Sequence, residues 1–111
     1  MSVLEVARLE VREGATAAFE AAFAEAASII AAMPGYRGHD LRRCLEASHT
    51  YVLLVWWETL EDHTVGFRGS AEYQRWKALL HHFYDPFPTV EHYVSVASPP
   101  AAGPSVGGAR P

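Results

Sequence analysis

A single α+β domain of order β-α-β-β-α-β is the architecture this sequence predicts, and three observations carry it. Residues 3–11 alternate between apolar and charged side chains. An alanine-rich stretch with aromatic and aliphatic residues at helical spacing follows and ends at Pro34-Gly35. The third is an unbroken apolar run over residues 51–57, followed at once by a second pattern of helical period.

In the first strand, Val3, Ala7, Leu9 and Val11 share a face interrupted only by Glu5, while Arg8, Glu10 and Arg12 take the other. Period-two alternation of this kind marks a half-buried strand. Glu13-Gly14 breaks it. From about 15 to 33, Phe19, Phe23, Ile30 and Met33 make a helical stripe with Ala26 and Ala27 between them, leaving Glu20 and Glu25 in water. Pro34-Gly35 stops that helix. Residues 36–45 and 50–58 read as strands, joined through residues 46–49, a connection short enough for an antiparallel hairpin.

A short helical segment is expected over 60–67. Ser70 is placed to cap the next helix, with Glu72 in its first turn and Tyr73, Trp76, Leu80 and Phe83 spaced by three and four. Asp85-Pro86-Phe87-Pro88 ends it, and residues 89–96 form the last strand. The expected domain covers residues 1–97. Residues 98–111, rich in Pro, Gly and Ala, have no apolar pattern that could offset the entropy of ordering, and are expected to form a flexible tail. The resulting order is the ferredoxin-like split βαβ arrangement, with both helices on one face of a four-stranded antiparallel sheet.

That arrangement leaves the second sheet face uncovered. The strand at 50–58 is apolar on both parities, with Tyr51, Leu53, Val55 and Trp57 on one side and Val52, Leu54 and Trp56 on the other. Burial of both faces is the usual reason for such a run. A second copy of the chain is the economical cover, so the sequence predicts a homodimer. Burying Val52, Leu54 and Trp56 there contributes on the order of 2 kcal/mol per side chain.

Composition excludes several classes of function. A chain of 111 residues forms one domain. No apolar run approaches the roughly 20 residues needed to span a bilayer, and the opening Met-Ser-Val-Leu-Glu-Val lacks the basic region and apolar stretch of a secretion signal. A cytoplasmic protein without membrane association is expected. The net charge is −4, Lys77 is the single lysine, and no basic stripe exists for nucleic acid. Cys44 is the only cysteine, so no intrachain disulfide forms. A metal site is not expected. His39, His49, His63 and His92 are far apart in sequence, adjacent His81 and His82 point about 100° apart on a helix, and no His-x-His or Cys-x-x-Cys pair occurs.

The segment from Thr50 to Trp76 holds the candidate site. Trp57, Phe67, Tyr73 and Trp76 supply stacking surface, and His63 can exchange a proton near neutral pH, a combination suited to a small, flat aromatic ligand. His39 and His92, on the second and fourth strands, are alternative bases. Each also has a plainer reading: Trp57, Tyr73 and Trp76 as core, His63 as a solvated or capping residue, and Lys77 as an ordinary surface lysine.

With these residues placed, the chain resembles the antibiotic biosynthesis monooxygenase family of small dimeric α+β barrel proteins. The matching features are Val3-Leu4-Glu5-Val6-Ala7-Arg8 leading to Gly14, Phe19, Pro34-Gly35-Tyr36, Trp57-Glu58-Thr59, Phe67 to Ser70, Tyr73 with Trp76, and Val90 to Tyr93. The resemblance implies a cofactor-independent oxygenase that converts a phenol or hydroquinone with dioxygen, needing no metal, flavin or haem. It puts Trp57, His63 and Lys77 at the catalytic positions, with His63 as the base; the aromatic Phe67, Tyr73 and Trp76 and the histidines His39 and His92 are expected, from the residues themselves, around the substrate. An ascending pH limb near the ordinary histidine value of about 6.5 follows from that base. The quinone-forming branch carries a polar amide four residues before the tryptophan, where this chain has Leu53. The haem-degrading branch needs asparagine and histidine where this chain has Ala7 and Lys77. The competing expectation is a non-catalytic ligand-binding or stress-associated protein with the same dimer and pocket.

Overall fold

The computed structural model describes residues 2–97. Its order is β1 (Val3–Glu10), α1 (Thr16–Ala31), β2 (Tyr36–Arg43), β3 (Thr50–Trp57), a π-helical segment (Asp62–Phe67), α2 (Ala71–Leu80), a 3₁₀ turn (His81–Phe83) and β4 (Val90–Tyr93). The strands form one antiparallel sheet in the order β2-β3-β1-β4, as the ferredoxin-like reading requires. The expected tail, residues 98–111, lies outside the described residues. No helix among the described residues is long and apolar enough to cross a membrane.

The helices cover one face of the sheet. Ala7, Leu9, Tyr51, Leu53, Val55 and Trp57 from β1 and β3 form a single buried cluster with Phe19, Phe23, Ala26 and Ile30 of α1 and Trp76 and Leu80 of α2. Tertiary burial fixes α1, which has neither an N-cap side-chain bond nor an acidic first turn. α2 starts where the sequence says it should, with the Ser70 hydroxyl accepting a hydrogen bond from the Tyr73 N–H at 3.1 Å.

Three elements differ from expectation. β4 is four residues long instead of eight, because it pairs only with Leu4–Ala7 of β1, and Val94 and Val96 beyond it are exposed. α2 closes at Leu80 and tightens into the 3₁₀ turn, after which Tyr84 leaves the helix and bridges Val11. The short helix is π-helical, with the Arg68 N–H donating to the His63 carbonyl at 3.1 Å, a five-residue step. That wider turn buries both His63 and Phe67 on its inner side.

Candidate functional site

The site begins with a charged residue on the wrong face. Glu5 sits in β1 between Val3 and Ala7, so strand alternation turns it toward the helices, and it is only 6 % exposed. A buried carboxylate is costly unless polar groups meet it. Two elements supply them, and a third backs one of the two. Trp57, the last residue of β3, is fully buried, and its indole Nε1–H donates to Glu5 Oε1 at 2.9 Å. The π-helical segment lays His63 on Trp57, ring centroids 5.4 Å apart and planes 19° from parallel, which brings His63 Nε2 to 3.4 Å from the same Glu5 oxygen. β4 places His92 directly across from Glu5, where its Nε2 lies 2.8 Å from His63 Nδ1. The two imidazoles hold one hydrogen between them, so the protonation of His92 sets the tautomer of His63.

Burial dominates the electrostatics. It raises the Glu5 carboxyl above its ordinary value, against the lowering effects of the Trp57 hydrogen bond and the Arg68 charge. Burial also pushes His63 down to about 3, helped by Arg68 and His92. His92 is lowered by burial and then by Arg68. Near neutral pH, His63 is therefore a neutral imidazole beside a carboxyl group that holds its proton more tightly than an exposed glutamate does.

This array opens onto a cavity of about 390 Å³. Glu5, His63 and Arg68 stand among its polar lining groups, and Tyr73, Trp76, Tyr84 and Phe87 give it aromatic walls. Ala7, Leu9, Leu53 and Val90 complete the apolar floor. His81 also reaches the cavity, packed edge-to-face on Phe87 at 4.9 Å, with its own protonation lowered by burial and then by Lys77.

Of the residues singled out from sequence, His63, Tyr73 and Trp76 line the cavity. Trp57 lies behind it and acts on it through Glu5 and His63. Phe67 is buried behind Tyr73 and Trp76, at centroid distances of 5.2 and 5.6 Å. His92 meets the site through His63. His39 stands apart on β2, its Nδ1 held by the Tyr36 hydroxyl at 2.6 Å and its ring against Phe23. Lys77 is exposed on α2 and absent from the cavity lining. The cation at the cavity is Arg68, which sequence reasoning missed along with Glu5, His81, Tyr84 and Phe87. Glu5 had a visible signal, the lone acid on the apolar parity of β1. Among the described residues no group of three or more His, Cys, Asp or Glu side chains is placed to hold a metal ion.

Comparison with known proteins adds the family. The profile described as "Antibiotic biosynthesis monooxygenase" matches residues 2–79. The "Uncharacterized protein YczJ" of Bacillus subtilis is 62 % identical over 94 residues, 85 % of this chain and 99 % of its own. A Bordetella bronchiseptica protein bearing the same family name superimposes with a TM-score of 0.83 at 36 % identity, over 86 % of this chain and 98 % of its own. The structure of SnoaB, a cofactor-independent oxygenase from Streptomyces nogalater, superimposes with a TM-score of 0.69 at 27 % identity, covering 89 % of this chain and 97 % of that one.

Proposed function

The chain belongs to the antibiotic biosynthesis monooxygenase family, and from that premise we propose that it is a cofactor-independent monooxygenase acting on a small phenol or hydroquinone-type aromatic compound. The observation that carries this reading is the buried carboxyl, indole and imidazole array opening onto an aromatic-walled cavity. The likeness to SnoaB supports oxygen chemistry without a cofactor.

The chemistry asks for three things. A phenol must lose its O–H proton so that the anion can pass an electron to dioxygen, and the Glu5 and His63 pair is the proton-exchanging group on the cavity wall. The developing anion and superoxide need a positive charge, which Arg68 supplies. Water must be kept from the intermediates, the task of Tyr73, Trp76, Tyr84 and Phe87. Superoxide and the ring radical then combine in a ring C–O bond, and the ring carbon that forms it later loses its hydrogen as a proton. The O–O bond breaks, one oxygen atom stays as the quinone carbonyl, and the other leaves as water carrying the phenolic and ring protons. Substrate gives four electrons and dioxygen takes four, so no outside reductant enters.

The proposal includes a cytoplasmic homodimer joined through the open sheet face, where Trp56 is 36 % exposed and Leu4, Val6, Val52 and Leu54 are half-buried. The test of activity is oxygen uptake by the purified protein over a panel of hydroquinones, anthrones and flavonols, with a metal chelator present. One dioxygen consumed per quinone formed is the expected result. Binding of these compounds without oxygen uptake favours the second reading, a non-catalytic ligand-binding protein, which the apolar Leu53 in the cavity wall supports.

A further inference from the structure

We propose that Glu5 is the proton acceptor of the cavity and that Trp57 and His63 are positioning residues that hold its carboxylate ready. This rests on the reading of the cavity as a phenol site, and it names the group that takes the proton. Both donors converge on one oxygen: Trp57 Nε1 at 2.9 Å and His63 Nε2 at 3.4 Å both face Glu5 Oε1. Oε2 makes no hydrogen bond with the described residues, although Glu5 lines the cavity. One oxygen is thus anchored and the other is left for a ligand. The 3.4 Å approach is longer than a full hydrogen bond, leaving room to tighten as charge collects on the carboxylate.

His63 is poorly placed to be the acceptor itself. Its Nδ1 is engaged by His92 and its Nε2 faces the carboxylate, so a third partner would have to displace one of them. An Nε2–H donating to Glu5 fits the array when Nδ1 accepts from His92 Nε2–H. Burial acts in the same sense, disfavouring an imidazolium at His63 and strengthening Glu5 as a base. The other groups that set this balance are Arg68 after the π-helical segment, Tyr73 on α2, His81 and Tyr84 beyond it, and His92 on β4. Arg68 favours the carboxylate, while burial raises the Tyr84 hydroxyl well above its ordinary value and keeps it neutral at physiological pH.

Proton transfer can be read without turnover by binding 4-nitrophenol anaerobically, because its ionised form absorbs at longer wavelength than the neutral phenol. The pH is held where free 4-nitrophenol is neutral and Glu5 is a carboxylate, as set by infrared titration of the unliganded protein. Binding to the wild type, where the ligand buries Glu5 further and so raises its carboxyl while Arg68 stabilises the phenolate, should produce the phenolate band together with the infrared carbonyl stretch of a protonated carboxylic acid. Glu5→Gln keeps an oxygen to accept the Trp57 hydrogen bond, and it should lose both signals while binding the neutral phenol. His63→Gln should keep both, with the carboxyl titration moved upward by loss of a donor. The inference is overturned if phenolate forms without the carboxylic acid band, if Glu5→Gln retains both signals, or if the wild type binds only neutral phenol. Oxygen uptake is not part of this readout. A protein that passes it but consumes no oxygen keeps Glu5 as acceptor and loses the oxygenase reading, whereas undiminished uptake in Glu5→Gln has the reverse meaning.

Discussion

The two faces of the sheet are built from the same strands and differ in what covers them. On the helix-covered face, Leu9, Tyr51, Val55 and Trp57 are no more than 2 % exposed. One residue along each strand, Arg8, Val52 and Trp56 look outward, with no element among the described residues over them. The covered face is nearly sealed and yet keeps a glutamate, a residue type rarely buried without partners. The open face is largely apolar along β3 with nothing described against it. A polar group is retained where burial is deepest, and apolar groups are retained where burial within the monomer is incomplete. The first pattern is what a reactive site needs and the second is what a subunit interface needs.

The comparison is most sharply broken on the open side. Leu54→Asp should abolish the proposed dimer, because an unpaired charge in a packed interface costs several kcal/mol. Sedimentation of the variant should show monomer or aggregate, while a wild type that sediments as monomer at micromolar concentration removes the interface.

On the covered side, protonation should tilt stability in two directions. The folded state keeps His63 neutral down to about 3, whereas the unfolded chain protonates it near 6.5. Its contribution is therefore complete above about 6.5 and is lost as pH falls toward 3. Glu5 has the opposite sign. Its raised value lets the folded state hold a proton that the unfolded chain releases near 4.5, so stability falls as pH rises from there to the folded value. Denaturant unfolding across pH should show His63→Gln with a flatter acid limb than the wild type and Glu5→Gln gaining stability toward neutral pH. Parallel pH curves for all three proteins would contradict the burial argument.

These contrasts also show what the sequence made legible. The alternation of β1, the stripe of α1, the Ser70 cap and the two-sided apolar run of β3 each follow from local periodicity, so the fold could be read. The aromatic walls at Tyr73 and Trp76 were readable for the same reason. What periodicity cannot carry is convergence across distant elements. Glu5 meets Trp57, His63 and His92 only after three strands and the π-helical segment come together, and Phe87 and Tyr84 enter the cavity through the turns after α2. The π step itself left no sequence mark, though it buries both His63 and Phe67 and carries the chain on to Arg68.

The smallest expected effects separate the two cations. Arg68→Met removes the charge at the cavity and should lower turnover about tenfold, within the usual range for one electrostatic contact. Lys77→Met, on an exposed part of α2, should change turnover by less than about twofold. Equal losses in the two variants would mean that Lys77 reaches the substrate in the working protein.

The pH dependence of kcat/KM for a substrate found by oxygen uptake tests the proton-accepting cavity most directly. With Glu5 as acceptor, the rate rises with pH along a limb above the ordinary glutamate value of 4.5, and Glu5→Gln lowers the rate by about 10² and removes that limb. A limb near 3, or one that persists unchanged in Glu5→Gln, would contradict the account.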